Sequence, residues 1–101
     1  MKVAIPTNDK IKIAPSVIEC KGFLVYEIDD HNLVDFEFRE LNSINVPKEQ
    51  SIINLLEDCN SMICTKIEPS IKESLKNANK QILRTLEENA KKALINLMCR
   101  V

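Results

Sequence analysis

The hydrophobic period of this chain changes near residue 47, and this change constrains the fold more than any other feature. Before it, apolar residues form short continuous or alternating runs typical of β-strands, at Lys2–Thr7, Gly22–Ile28 and Leu33–Glu40. After it, they recur at helical spacing in three segments, which are separated by short apolar runs at Ser61–Thr65 and Lys80–Arg84. We therefore predict the order β, β-hairpin, α, β, α, β, α, with a minor strand at Ile11–Ile13.

This order predicts an α/β architecture with a mixed five-stranded sheet and three helices. Strands that alternate with helices indicate parallel pairing with right-handed crossovers, whereas the hairpin adds an antiparallel side. A chain of 101 residues has room for one core, so we expect a single domain over 1–101. We expect Pro69 to open the second helix. Thr85 with Glu88 is predicted to form a capping box for the last helix.

Composition excludes several classes of protein. A net charge of −1 predicts no nucleic-acid partner, and no apolar run approaches the length of about 20 residues that a membrane span needs. The N-terminal apolar stretch is too short for a signal peptide, which predicts a cytoplasmic protein with reduced cysteines. The single glycine, Gly22, excludes glycine-rich phosphate loops. His31 is the only histidine and no C-x-x-C pair occurs, so a structural zinc site is not expected.

Several stretches together resemble one family, that of dinitrogenase iron–molybdenum cofactor biosynthesis. They are Met1–Thr7, Phe23–Ile28, Leu55–Cys59 with Met62–Cys64 and Ile67–Pro69, and Glu87–Leu94. The resemblance covers nearly the whole chain in the family's order. It implies a ribonuclease-H-like, three-layer α/β/α fold. It also implies a non-enzymatic role in binding or carrying iron–sulfur or iron–molybdenum cofactors, or their precursors.

The chain departs from the family where a ligand would be held. Members often carry a His-Phe-Gly-Arg-like segment in the loop that is Pro15–Lys21 here. Ser16 stands where the histidine would be, and Ile18 and Glu19 replace the glycine and the arginine. The family's glycine-rich turn is replaced by Thr65–Pro69, which has no glycine. Cys20 is the one soft ligand that remains in the loop.

The resemblance places the loop and the turn at one end of the sheet. We therefore expect any metal or cluster to lie between them, with Cys20 and Cys64 as metal ligands, because thiolates are preferred by iron–sulfur clusters. The cofactor-binding residues would be Ser16, Cys20, Thr65, Lys66 and Glu68. Two thiolates cannot complete a Cys₄ set, so the other ligands would come from a second subunit, from small molecules or from nothing, and binding by a monomer is expected to be weak or absent. Alternatively, Cys64 is a small buried hydrophobe and Cys20 an incidental loop thiol.

Two functional hypotheses follow, and neither includes a catalytic residue. The first is an accessory protein that carries an iron–sulfur or iron–molybdenum cluster between donor and acceptor proteins. The alternative is a divergent member that has lost the ligand and acts as a protein-interaction module. A nuclease is rejected because Val3-Ala4-Ile5 supplies no carboxylate on the first strand for two-metal chemistry. The start of the second helix could bind an anion with help from Lys66, but we expect Glu68 to cap it instead.

Overall fold

Five strands form one mixed sheet with the spatial order β3-β2-β1-β4-β5. The structure is a computed structural model that describes residues 1–42 and 47–98. The strands are β1 (Lys2–Thr7), β2 (Gly22–Asp29), β3 (Asn32–Glu40), β4 (Ser61–Cys64) and β5 (Gln81–Arg84). The helices are α1 (Lys48–Leu55), α2 (Pro69–Asn77) and α3 (Ala90–Met98). The predicted order of elements is confirmed, and Pro69 occupies the first turn of α2.

The pairing of the strands matches the prediction. β1 runs antiparallel to β2, with Val3 opposite Tyr26, and parallel to β4. β4 in turn pairs in parallel with β5, and β2 pairs antiparallel with β3. The connection from β1 to β4 runs through the β2–β3 hairpin and α1, and the connection from β4 to β5 runs through α2. Both are long because neighbouring parallel strands cannot be joined by a tight turn.

Helices cover both faces of the sheet and complete a three-layer, ribonuclease-H-like α/β/α fold. On one face, α1 and α2 bury Ile52, Leu56, Ile71 and Leu75 against the strands. On the other face, α3 buries Ala90, Ala93 and Leu94. β2 is apolar on both sides because it lies between these two layers: Phe23 and Val25 belong to the first core, and Leu24 and Tyr26 to the second. No helix among the described residues is long and apolar enough to cross a bilayer.

The hairpin between β2 and β3 closes through a two-residue turn. Asp30 and His31 both have positive φ angles, of 50° and 65°. Two successive left-handed residues are typical of a type I′ turn, whose twist matches that of the flanking strands. A register shift after Glu27 then sets Ile28 opposite Leu33, so the hairpin carries a bulge close to its tip.

Two local predictions were wrong, and they share one cause. The Ile11–Ile13 segment forms only isolated bridges, one of which joins Lys12 to Asn89. Ile13 N–H donates to Glu88 O at 2.7 Å and Ala90 N–H donates to Ile11 O at 3.0 Å. These bonds hold the chain before Ala90 in an extended form, so α3 begins there rather than after Thr85.

The cap of α3 is therefore Asn89. Its Oδ1 accepts a hydrogen bond from Lys92 N–H at 3.0 Å, which is the capping geometry expected for an asparagine three residues upstream. Thr85 Oγ1 instead accepts from Glu87 N–H at 3.1 Å, within the loop that precedes the helix.

Candidate functional site

The two segments predicted to flank a ligand are in direct contact. Val17 N–H donates to Lys66 O at 3.1 Å, and Ser16 Oγ donates to Glu68 Oε1 at 2.7 Å. Glu68 makes no side-chain cap of α2, so the expected capping role is wrong: the carboxylate turns toward Ser16 instead. The other oxygen, Glu68 Oε2, is buried without a hydrogen-bond partner. The loop and the turn thus form a closed contact rather than an open cleft.

The two candidate thiols lie in the core beneath this contact. Cys20 is 2% exposed and Cys64, the last residue of β4, is fully buried. Both belong to the cluster between the sheet and the α1–α2 layer. Burial raises the pKa of each thiol to about 11, and nearby Lys48 and Arg84 offset this only partly. Both cysteines are therefore neutral thiols in this conformation, whereas metal ligation requires the thiolate.

The other cysteines behave in the same way where the structure describes them. Cys59, after α1, is 3% exposed and its pKa is also raised by burial. It is a free thiol, as are Cys20 and Cys64. Cys99 lies outside the described residues.

An open crevice lies next to the closed contact and shares Thr65 with it. It encloses about 460 Å³ and is lined by Asn8, Asp9, Lys12, Ile13, Ala14, Pro15, Thr65, Leu86 and Glu88. This volume lies in the range of small-ligand pockets. The lining contains no sulfur or imidazole, and its two carboxylates outnumber its one ammonium group.

One of those carboxylates is occupied by the loop itself. Asp9 Oδ1 accepts from Ile11 N–H at 2.9 Å and from Lys12 N–H at 2.8 Å. These backbone hydrogen bonds, of which the one from Lys12 has the larger effect, hold the pKa of Asp9 below its ordinary value. Asp9 therefore shapes the 9–12 turn, and its charge remains at the crevice rim.

The residues present do not fit a cluster held by thiolates. Within 1–42 and 47–98, no group of three or more His, Cys, Asp or Glu side chains could hold a metal ion. The crevice has a carboxylate excess that opposes an anionic cluster. A site ligated by Cys20 and Cys64 therefore requires the 15–21 loop to separate from the 65–69 turn.

Sequence reasoning missed a row of exposed apolar residues on one strand. On the outer strand β3, Leu33, Val34 and Phe36 are 40%, 59% and 62% exposed, and we call these three residues the outer-strand patch. The alternating pattern predicted a half-exposed strand, and among residues 1–42 and 47–98 nothing in the α3 layer buries this row. Phe36 stacks on Tyr26, with ring centroids 5.9 Å apart. Counting the acidic and basic residues of each predicted element would have singled out the hairpin as unusually acidic.

Comparison with known proteins agrees with this architecture. The family model "Dinitrogenase iron-molybdenum cofactor" matches residues 1–98. A crystal structure assigned as a dinitrogenase from Methanocaldococcus jannaschii superposes with a TM-score of 0.82 at 24% identity, covering 99% of this chain and 89% of that one. The apo form of the orange protein from Desulfovibrio gigas gives 0.78 at 13% identity, covering 98% and 88%.

A third structure, assigned as a NifB protein from Thermotoga, superposes with a TM-score of 0.67 at 16% identity, covering 98% of this chain and 87% of that one. At these identities the superpositions establish the fold. No curated protein sequence matches the chain. Because the family model spans nearly all of it, the chain belongs to the dinitrogenase iron–molybdenum cofactor family.

Proposed function

We propose that this chain is a non-enzymatic accessory protein of iron–molybdenum cofactor assembly, and that it acts by binding another protein. Family membership supports the cofactor context. The observation that carries the proposal is the contrast between the outer-strand patch, where Phe36 is 62% exposed, and Cys64, which is fully buried.

The physical argument rests on the free energy of apolar burial. An exposed phenylalanine forgoes about 1.5–3 kcal/mol that full burial would provide. Phe36 is also adjacent to two further exposed apolar residues of the same strand, Leu33 and Val34. Contiguous apolar surface of this kind marks interaction sites more often than scattered single residues do.

A non-enzymatic role is supported by the chemistry of the crevice. β1 offers Val3, Ala4 and Ile5, all fully buried, and so brings no carboxylate to the sheet for metal-dependent hydrolysis. Asp9 is engaged by backbone N–H groups of its own turn.

A second candidate is a carrier of an iron–sulfur or iron–molybdenum cluster, or of a precursor, between donor and acceptor proteins. The observation that favours it is Glu68 Oε2, which is buried and unpartnered at the contact with Ser16. An orphaned carboxylate oxygen weakens that contact, because its desolvation is not compensated. If the contact opened, Ser16, Cys20, Thr65 and Lys66 would face a ligand together with Cys64.

Anaerobic reconstitution with ferrous iron and sulfide separates the two candidates. Absorbance is recorded for the wild type, for a Cys20→Ala/Cys64→Ala variant, and for Cys59→Ala as a matched control with an equally buried thiol. The interaction role predicts no stoichiometric chromophore in any of them. A chromophore present in the wild type and in Cys59→Ala, but absent from the double variant, would establish the carrier instead.

We also propose that the protein works in the cytoplasm. The support is its cysteine chemistry: Cys20, Cys59 and Cys64 are all free thiols. Reduced thiols are typical of a compartment buffered by glutathione and thioredoxin.

A further inference from the structure

A second pocket lies at the opposite end of the sheet from the crevice. Met1 precedes β1 and Asn8 follows it, so the two openings are separated by the length of that strand, about 20 Å at the usual rise per residue. This pocket encloses about 280 Å³. It is lined by Met1, Ile28, Asp30, His31, Leu97 and Met98, and we call it the methionine pocket. None of these residues belongs to the 15–21 loop or to the 65–69 turn.

The methionine pocket gathers the scarce soft donors of the chain. The sequence contains one histidine, His31, and three methionines. Met1 and Met98 line the pocket together with His31, whereas the third methionine, Met62, is 1% exposed in the core. Thioether sulfur and imidazole nitrogen are both ligands of soft metal ions. Three such donors, from distant segments of the chain, therefore meet at one opening.

The backbone of each donor residue is held in place. Met1 O accepts from Ile28 N–H at 2.7 Å and the Met1 ammonium donates to Ile28 O at 2.8 Å, so this residue is fixed beside β2. His31 lies in the tight turn between β2 and β3. Met98 is in the last turn of α3 and packs against the core beneath that helix. Because a methionine side chain has three rotatable bonds, its sulfur can turn into the pocket without a change of backbone.

Access and charge favour a cation. Met1 is 53% exposed and His31 is also exposed, so an ion can enter from solvent. Asp30 supplies one negative charge to the lining, and the C-terminal end of a helix such as α3 carries a partial negative charge. The turn itself does not require an imidazole, since asparagine and glycine are the residues that a type I′ turn favours.

The donor set selects a soft monovalent ion over the common dications. Magnesium and calcium prefer oxygen ligands, and Asp30 is the one carboxylate among the described residues of the lining. Zinc sites are built from cysteine, histidine and carboxylate side chains, of which this lining offers two, His31 and Asp30. Thioether ligands instead select copper(I). The single charge of Asp30 also balances a single positive charge.

We propose that the methionine pocket binds a soft monovalent metal ion of the copper(I) class. The ligands are Sδ of Met1, Sδ of Met98 and the imidazole of His31, with Asp30 as the nearby counter-charge. A bound ion joins the start of β1, the hairpin turn and the last turn of α3. This inference is independent of the proposed interaction role, because it uses no residue of the outer-strand patch.

The test uses silver(I) as the probe, because Ag⁺ matches copper(I) in charge and softness and keeps its oxidation state in solution. Titration in chloride-free buffer is followed by NMR of the methionine methyl groups and of the His31 ring. The background is Cys99→Ser, because Cys99 follows Met98 in the sequence and its thiol would compete for silver. His31→Asn and Met98→Leu each remove one donor while suiting the turn and the packing. Met62→Leu is the matched control.

One Ag⁺ per chain should shift the methyl signals of Met1 and Met98 and the ring signals of His31, and should leave the Met62 methyl signal unchanged. His31→Asn and Met98→Leu should each weaken binding by about tenfold or more, since even a residue that only supports a ligand contributes roughly 10–100-fold to metal affinity. Met62→Leu should bind as the background does. Copper(I) should displace silver under anaerobic conditions, whereas Zn²⁺ should not.

Absence of saturable Ag⁺ binding would overturn the proposal. Shifts confined to the His31 ring and reproduced by Zn²⁺ would also overturn it, because they would indicate an ordinary exposed histidine. Silver bound by the cysteines, with the methyl signals of Met1 and Met98 unchanged, would place metal binding at the thiols and refute the methionine pocket.

Discussion

Arg39 binds Asp58 through two parallel hydrogen bonds, Nη1 to Oδ1 at 2.6 Å and Nη2 to Oδ2 at 2.9 Å. The same guanidinium donates to Leu55 O at 2.9 Å, at the end of α1. It thereby ties the outer strand β3 to the connection between α1 and β4. Lys2 adds a third contact to Asp58 at 2.9 Å. Bidentate geometry of this kind is stronger than an ordinary surface ion pair.

Replacing Asp58 by asparagine should lower the free energy of unfolding by about 1 kcal/mol near pH 7, a modest value because the carboxylate is 47% exposed. Arg39 first, and then Lys2, hold the pKa of the Asp58 carboxyl well below its usual range. The stabilisation is thus complete above the unfolded pKa of about 3.9 and is lost as the pH falls below it. Urea unfolding at several pH values should show that the difference in free energy of unfolding between wild type and Asp58→Asn becomes smaller in acid. Glu57→Gln, which changes the exposed neighbour, should leave the free energy of unfolding unchanged. A destabilisation of Asp58→Asn that does not depend on pH would show that the ion pair is not its cause.

Gly22 is required by close packing rather than by its backbone angles. A Cβ built at this position would lie 2.5 Å from Arg39 O and 2.5 Å from Cζ of Phe38. Gly22→Ala should therefore destabilise the chain by about 1–3 kcal/mol, as overpacking does. In a double-mutant cycle, Phe38→Leu should recover part of this loss but not all of it, because the clash with the backbone oxygen remains. Full recovery, or a neutral Gly22→Ala, would show that the hairpin adapts without cost.

Asn89 and Thr85 should contribute differently to the stability of α3, because only Asn89 caps the helix. Asn89→Ala should cost about 1 kcal/mol, because Lys92 N–H loses its acceptor at the start of the helix. Thr85→Ala should cost less, since Thr85 Oγ1 bonds only within the preceding loop. Thermal unfolding of the two variants measures the difference. The reverse ranking would move the start of the helix back toward Thr85.

The buried thiols should be inert in the native state. In a Cys99→Ser background, the three remaining cysteines are nearly or fully buried, and the pKa of Cys20 and of Cys64 is about 11. Reaction with a disulfide reagent near pH 8 should then be at least about 100-fold slower than in urea, because both access and thiolate are lacking. A rapid native-state reaction of Cys20 and Cys64, with Cys59 still slow, would show that the Ser16–Glu68 contact opens readily.

The hairpin turn offers a stabilising change. His31 has a φ of 65° and is exposed, so its side chain contributes strain without burial. His31→Gly should raise the free energy of unfolding by about 0.5–1 kcal/mol, since glycine adopts this region without a Cβ penalty. Leu86→Gly, at an exposed loop position, serves as the comparison and should not stabilise. A destabilised His31→Gly chain would mean that the side chain makes a contact that matters.

The local patterns of the sequence were sufficient to predict the architecture. The alternation in Leu33–Glu40, the apolar run Gly22–Ile28 and the helical spacing after residue 47 each depend on residues that are close in the chain. Such short-range periods specify element type and the buried face, and with them the mixed sheet. The start of α3 was mispredicted because the competing interaction, the pairing of residues 11–13 with 88–90, joins distant segments.

The candidate site depended on tertiary packing at every step. Cys20 and Cys64 are thiols in any fold, but only the α1–α2 layer excludes water from them and raises their pKa values. By contrast, the sequence alone determined the negative charge of residues 22–40. Whether Phe36 would be buried depended on how far α3 reaches across the sheet. Within the described residues, the core beneath α3 reaches Phe38 of β3 but leaves Phe36 exposed, because a single helix is narrower than a five-stranded sheet.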